Sequence, residues 1–389
     1  MNDNEKRIMT ILRHRGASTR KEIAEACGIS WAATVKLVNR LESQGMIRCM
    51  GESTRKTENG KTSMTYALSD LQPLTIGIDI EYGYTTVTVQ NLHHDIHYTK
   101  TAVTPQNPGL DDICTFLSGE IKKCQRTLSK RQLSAEGIGI GVPGMLIPSD
   151  PHLFDRIAEN LAPVCSLPVI TDNNIRAYTL YLQKQFGTGD SFAAFIIRKG
   201  IGVGITLDGK LFRGQSGQAG ELGHLPVDPA GPLCRCGKQG CVEAFFNQRE
   251  LANTWGKASG LALPPELSEG EERRLTSELF TKAAQKNPRA LTLLRKKTAY
   301  LIPAMAGLLL SYDMQNVVIN GHFGPDGNVI IPILVEGLSR TLSPRFSFSL
   351  SYRPIEDEGF ASGAAMLFQN KYYDYSIMKN SGSPGIPEA

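Results

Sequence analysis

Apolar residues recur at helical spacing over the first forty positions and in strand-like runs after that. Ile8, Ile11 and Leu12 fall at i, i+3 and i+4, one apolar stripe of a first helix. Thr19-Arg-Lys-Glu22 has the form of a capping box and predicts a second helix, which ends near Cys27-Gly28, where glycine accepts the left-handed cap conformation. Ser30 is the next N-cap, and Val35, Val38 and Leu41, with Leu37, mark the core face of a third helix. Ser30, Thr34, Lys36 and Arg40 are left pointing outward, and Trp31 reads as a core plug. After Gly45, Met46–Cys49 and Met64–Leu68 read as two strands joined by a polar loop that carries Arg55, Lys56 and Lys61. Three helices and a hairpin wing predict a winged helix-turn-helix over residues 1–70.

Beyond a short linker at Ser69–Pro73, three β-rich segments (74–80, 84–90, 96–103) predict a meander. A helix over about 109–129 follows, then the apolar strand Gly137–Val142 with Pro143-Gly144, a short strand at 168–171, and Asp172-Asn173-Asn174 opening a helix to about 186. A second lobe starts at Ser191 with strands over 192–197 and 200–207, and Asp208-Gly209 gives a hairpin turn. Residues 245–312 read mostly as helices, 316–321 as a strand, and 359–368 as a helix returning to the first lobe. No solenoid-like period is present, and the tail from Ser381 has the composition of disorder.

The densest chemistry lies in Gly217-Gln-Ala-Gly-Glu221-Leu-Gly-His224 and, nine residues on, Cys234-Arg-Cys236-Gly-Lys-Gln-Gly-Cys241-Val-Glu243. One imidazole and three thiols are the ligand types of a closed tetrahedral zinc site, and Gly237 and Gly240 allow the loop to bend around an ion. The alternatives are unrelated cysteines or a disulfide, which would leave one of the three thiols odd. Cys27, Cys49, Cys114, Cys124 and Cys165 are scattered singly and read as inert thiols.

Gly-x-x-Gly-Glu-x-Gly-His followed by Cys-x-Cys-Gly-x-x-Gly-Cys-x-Glu resembles the signature of the ROK family of sugar kinases and sugar-responsive repressors. The resemblance implies an α/β, actin-like (ribonuclease-H-like) two-lobed fold behind an α+β winged helix, with lobe one at 74–188 plus the helix 359–372, and lobe two at 189–358. It implies structural Zn²⁺ on His224, Cys234, Cys236 and Cys241. Asp172, Asn174, Glu221, His224, Glu243 and Gly144 would be the ligand-binding residues, and the chain would form a homodimer or tetramer.

Charge locates a second partner. Residues 1–70 hold twelve Lys/Arg and eight Asp/Glu, whereas the other 319 hold thirty of each, so the whole +4 excess lies in the winged helix. Helix-turn-helix pairs also serve as plain packing motifs, but helix order, wing and charge together favour operator DNA. Ser30, Thr34 and Lys36 would reach bases, and Arg40, Arg55, Lys56 and Lys61 complete the contact set. No run of about eighteen apolar residues and no apolar signal core occur, which predicts a cytoplasmic chain without a membrane partner, nucleoid-associated when bound to DNA.

The kinase parts of the resemblance are uneven. Asp172 stands where family kinases have the aspartate of Asn-Asp-Ala-Asn, so it is a vestigial base candidate, with a plain helix N-cap as the alternative. The first phosphate turn, Asp-x-Gly-Gly-Thr in kinases, is Asp79-Ile-Glu81-Tyr82-Gly83-Tyr84-Thr85 here. A carboxylate about 4 Å from phosphate costs roughly 4 kcal/mol at an effective dielectric near 20. Gly200-x-Gly202-x-Gly204 is retained but serves packing equally well, and the adenosine turn reads Asn320-Gly321-His322-Phe323. The segment between Gly144 and Asp172 is shorter than is usual in the family. The expected function is a sugar-responsive transcriptional regulator of repressor type, with no catalytic residue and a small sugar or sugar phosphate as effector. The alternative is an ATP-dependent hexose or N-acetylhexosamine kinase with a DNA-binding extension.

Overall fold

A computed structural model describes residues 1–52, 63–144, 146–147, 150–186 and 190–373. Arg55, Lys56 and Lys61 and the tail from Ser381 fall outside the described residues. The chain divides into two compact units, one from residues 1–142, 150–177 and from Phe360 on, the other from 143–149 and 178–359.

The first unit opens with α1 (Asp3–Arg15), β1 (Ser18–Thr19), α2 (Arg20–Cys27), α3 (Trp31–Ser43), β2 (Ile47–Glu52) and β3 (Met64–Leu68). The local signals in the sequence act as expected. Thr19 and Glu22 form a reciprocal capping box, Gly28 closes α2 at φ 65°, and the Ser30 hydroxyl accepts from the Ala33 amide to start α3. The sheet order is β1-β3-β2.

Next come β4 (Leu74–Ile80), β5 (Thr85–Gln90), β6 (Ile96–Ala102), α4 (Leu110–Lys130), β7 (Ala135–Val142), α5 (Leu153–Cys165), β8 (Val169–Asn173) and α6 (Asn174–Phe186). Their sheet runs β6-β5-β4-β7-β8, with β4 antiparallel to β5 and parallel to β7. Sequence reasoning missed α5, although Leu153, Ile157, Leu161 and Cys165 recur every four residues and are buried.

In the second unit β9 (Phe192–Ile197), β10 (Ile201–Leu207) and β11 (Lys210–Leu211) precede the knuckle. After it come α7 (Val242–Phe245), α8 (Gln248–Ala258), α9 (Glu269–Ala284), α10 (Pro288–Thr298), α11 (Ile302–Tyr312), β12 (Asn316–Gly321), α12 (Ile330–Thr341) and β13 (Ser349–Pro354), and then α13 (Asp357–Tyr373), which belongs to the first unit from Phe360 on. The sheet order is β11-β10-β9-β12-β13, with β9 antiparallel to β10 and parallel to β12. Both units thus build the same order, an antiparallel meander extended by two parallel strands, as an actin-like fold requires. No sequence period announces this repeat. It is a likeness of topology, carried by different residues.

The winged helix shares its core with the end of α13 and with Leu92, in the turn after β5. Ile8, Met9 and Leu12 of α1 cluster with Leu92, Phe368 and Tyr373. Thr10 Oγ1 donates to the Tyr373 carbonyl at 3.2 Å, and Arg13 donates to Asn370 Oδ1 at 3.1 Å. The C-terminal end of α13 is therefore built into the floor of the winged helix, through contacts about 360 residues apart in the chain. Among the described residues no helix is long and apolar enough to cross a membrane.

Candidate metal centre, ligand site and DNA-binding face

Glu221–His224 form one 3₁₀ turn, after which Pro226 pairs with Cys241 and Leu233 with Gln239 to close a narrow loop. Inside it the Cys234 amide donates to the Lys238 carbonyl at 2.8 Å, and Gly237 and Gly240 take φ of 85° and 70°, angles that a side chain would strain. The outcome is convergence. The ligand atoms of His224, Cys234, Cys236 and Cys241 all lie within 4.8 Å of one another. Ideal tetrahedral zinc, with Zn–S about 2.3 Å and Zn–N about 2.1 Å, separates two sulfurs by about 3.8 Å and nitrogen from sulfur by about 3.6 Å. Cys236 Sγ lies 3.7 Å from Cys241 Sγ, and Cys234 Sγ lies 3.6 Å from His224 Nδ1. All eight cysteines are free thiols, so the disulfide alternative falls away, and this donor set fits a tetrahedral thiophilic ion.

His224 turns its other ring nitrogen outward, with Nε2 3.8 Å from Glu221 Oε2. A metal on Nδ1 leaves the proton on Nε2, so the same ring is a ligand on one edge and a hydrogen-bond donor on the other. Glu221 is exposed beside it.

Glu243, expected among the ligand-binding residues, is engaged by groups of the protein. It is buried, one carboxylate oxygen accepts from the Ile201 amide at 2.9 Å, and the other accepts from Arg235 at 3.0 Å. Arg235 stands between two cysteine ligands and also donates to the Lys199 carbonyl at 3.2 Å. Glu243 thus fastens the cysteine loop to β10 rather than presenting an open carboxylate. This also explains two of the retained glycines. A Cβ on Gly200 would strike Glu243 and Arg235, and one on Gly204 would strike the Thr179 hydroxyl, so both are explained by packing without any phosphate.

In the first unit Asp172 is the penultimate residue of β8 and is only 8% exposed. Its Oδ1 accepts from the Asn173 amide at 2.8 Å and from Arg176 Nε at 2.6 Å, and Arg176 is itself 7% exposed. The N-cap duty proposed as the alternative for Asp172 belongs to Asn173, whose side chain accepts from the Ile175 amide at 2.8 Å and the Arg176 amide at 3.4 Å. Asn174 is buried and donates to the Ile80 carbonyl at 3.4 Å, which secures the start of α6 against β4. Gly144 is exposed in the turn after β7. Arg176 was missed from sequence, although its i, i+4 spacing from Asp172 on a helix start was a readable signal.

The two turns expected to meet nucleotide are filled by the protein itself. Between β4 and β5, buried Glu81 accepts from the Tyr82 amide at 2.8 Å, so a carboxylate occupies a donor of the very turn that would face phosphate. After β12, Phe323 stacks on Phe280 with ring centroids 4.2 Å apart, and His322 bridges Gln248 at 2.9 Å and Asp357 at 3.0 Å. Arg273 pairs with the same aspartate.

Burial pushes the His322 pKa below its ordinary 6.5, although the bond to Asp357 opposes this. Burial alone would raise Asp357, but the hydrogen bonds from His322 and Arg273 outweigh it and hold the carboxyl well below the usual range. In both cases the unfolded chain takes up a proton that the folded chain refuses, so stability falls with falling pH: below 6.5 for His322 and, further down, below about 4 for Asp357. Thermal melts between pH 8 and 5 are expected to show a steeper acid loss for wild type than for His322→Gln. Identical slopes would remove His322 from the account.

On the winged helix, Ser30 and Lys36 are exposed as expected. Thr34 is not: it is 0% exposed, with its hydroxyl donating to the Ser30 carbonyl at 3.0 Å, because it lies with Val38 and Leu41 on the buried face. Arg40 is exposed but pairs with Glu5 at 3.2 Å. Trp31, expected as a core plug, is 59% exposed, since the first helical position projects past the end of the core.

Comparison with known proteins agrees with this arrangement. Residues 1–48 match a family model described as winged helix-turn-helix DNA-binding, and residues 75–371 match the ROK family. The chain is 27% identical over 318 residues to a glucokinase of Thermotoga maritima, covering 76% of this chain and 97% of that enzyme. It is 28% identical over 258 residues to a xylose repressor of Caldicellulosiruptor bescii, covering 63% of each. A solved ROK family transcriptional regulator, described as a homologue of the E. coli MLC protein, shares the fold over 97% of this chain and 98% of its own, with a TM-score of 0.76 at 20% identity. The family match runs from the first strand of one five-stranded sheet to the last described helix, and it takes in both repeats of the sheet order and the knuckle between them; this chain belongs to the ROK family.

Proposed function

We propose that this protein is a sugar-responsive, DNA-binding transcriptional regulator whose kinase-like portion binds a small sugar or sugar phosphate without phosphorylating it. The observation that carries this reading is the engagement of Asp172. A general base must have an oxygen open to the hydroxyl proton it removes. Here one of the two oxygens, Oδ1, already accepts two hydrogen bonds, one from a buried guanidinium, so the carboxylate is oriented by the protein's own groups. The self-filled turns at Glu81 and at His322-Phe323 support the same reading, since phosphoryl transfer rests on positioned phosphates.

In this proposal Zn²⁺ is structural, held by His224, Cys234, Cys236 and Cys241, and supplies only the geometry of the loop. Asp172, Asn174, Gly144, Glu221 and His224 contact the sugar, and Glu243 is a positioning residue. The winged helix binds operator DNA in a homodimer or tetramer. Effector and DNA are coupled by linkage: a sugar that prefers one conformer changes operator affinity by its preference. Helix α13 carries the coupling, because Asp357 at one end is tied to His322 and Arg273, and Tyr373 at the other lies in the winged-helix core.

The resemblance to a glucokinase favours a second reading, a sugar kinase with a DNA-binding extension. One experiment separates the two. The purified full chain is incubated with a panel of hexoses, N-acetylhexosamines and their phosphates, with ATP, while melting temperature and ADP release are followed. The expected result is a rise in melting temperature with at least one compound and no sugar-dependent ADP release. Sugar-dependent turnover would establish the kinase. If no compound shifts the melt, the chain is a ligand-independent DNA-binding scaffold.

A further inference from the structure

We propose that Trp31 is a specificity-determining residue of the DNA-binding face and that, with Ala32, it reads thymine methyl groups in the major groove. The inference rests on the DNA-binding reading above and assigns the base chemistry of that face.

Apart from Lys36, the polar side chains Ser30, Thr34, Asn39 and Arg40, at the cap and along α3, are already engaged. Thr34 is buried, Ser30 caps the helix, Asn39 Oδ1 accepts from Arg20 at 2.7 Å, and Arg40 is paired with Glu5. Arg20 is in turn stacked over the Tyr66 ring at 4.8 Å, so the Asn39 pairing is held from behind. What the first turn of α3 presents openly is apolar: Trp31, 59% exposed, and exposed Ala32. Helical side chains lean toward the N-terminus, so Trp31 at the first helical position projects beyond the end that a helix-turn-helix inserts into the groove. The apolar feature on a base edge there is the C5 methyl of thymine. The surroundings fit DNA by charge. The +4 excess of the chain lies in residues 1–70, and Lys36 is exposed one turn on, in reach of phosphate. A solvent-exposed indole in an otherwise well-packed winged helix is explained when this surface is covered by the operator.

The test uses the full chain and a duplex library with a randomised core. The chain has two tryptophans, and the other, Trp255, is only 4% exposed, so an emission change on adding selected duplex reports Trp31, while unchanged residual emission of Trp31→Ala reports an intact fold. Wild type is expected to select sites with an invariant T·A pair, and to lose about tenfold in affinity when that thymine is replaced by uracil, which lacks the methyl. Trp31→Ala is expected to bind the selected site about tenfold more weakly and to be indifferent to the uracil replacement, while Lys36→Ala weakens binding to all duplexes alike. Equal sensitivity of wild type and Trp31→Ala to uracil, or the same selected sequence from both, would overturn the assignment and leave DNA binding standing. A Trp31 emission that responds to protein concentration without DNA would assign the surface to a second copy and overturn it as well. If wild type selects no sequence, both the assignment and the DNA-binding reading fail.

Discussion

Full-length protein carrying Cys236→Ser is expected to purify with far less than one zinc per chain and to melt its second unit at a clearly lower temperature. The loop from Cys234 to Cys241 has little else to order it: a few backbone hydrogen bonds, two glycines with positive φ, and the largely exposed Leu233 and Lys238. For such a loop the free energy of metal binding is folding free energy. Changes just outside a metal's ligands already cost about 10- to 100-fold in affinity, so losing a thiolate should exceed that. The loss then spreads. Arg235, between two ligands, bonds to Glu243 and to the Lys199 carbonyl, so a disordered loop also releases the carboxylate that holds the Ile201 amide. Metal content by mass spectrometry and differential scanning calorimetry measure the two effects, with Cys114→Ser as a thiol-loss control remote from the knuckle. Full zinc occupancy in Cys236→Ser would contradict the ligand set.

Asp172→Ala is expected to destabilise the first unit by about 3 kcal/mol, the cost of leaving a buried guanidinium without its carboxylate. The double variant Asp172→Ala/Arg176→Met should recover most of that loss, because a hydrophobic side chain of similar volume replaces the orphaned cation. Neither variant should respond to the sugar that stabilises wild type. This pattern separates an ion pair that shapes the site from a base that performs chemistry: a catalytic aspartate would change turnover while leaving stability nearly intact. Urea denaturation with and without sugar reads both properties. An Asp172→Ala protein as stable as wild type would show that Arg176 does not depend on this carboxylate.

Two departures on the DNA-binding face, Thr34 and Trp31, have identifiable causes. Three-residue steps from Val35 to Leu41 tilt the core face inferred for α3 and leave Thr34 outside it, and one residue of error on a helix turns a side chain by about 100°. Trp31 as a core plug fails because the first helical position lies beyond the buried face. The partner of Glu243, the Ile201 amide, lies 42 residues back on β10, so that engagement is not legible in the local pattern. Helices α5 and α12 and strand β13 escaped the sequence reading although Pro148–Pro151, Gly324–Gly327 and Ser343-Pro344 are turn signals ahead of them.

What the sequence determined by itself is local or chemical. Thr19 with Glu22, Gly28 and Ser30 set helix ends because caps act across three or four residues. The spacing of His224, Cys234, Cys236 and Cys241 marked a candidate metal-ligand set because ligand type and loop length are both written in the chain. Only the tertiary structure decided what those features face. It repeated one strand order in two sheets without a sequence period, drew the Asp172 carboxylate onto Arg176, filled the phosphate turn with Glu81, and set α1 on the end of α13. Each of these depends on which side chain finds a partner in a packed interior, and a buried polar group is held by whichever donor the fold brings to it.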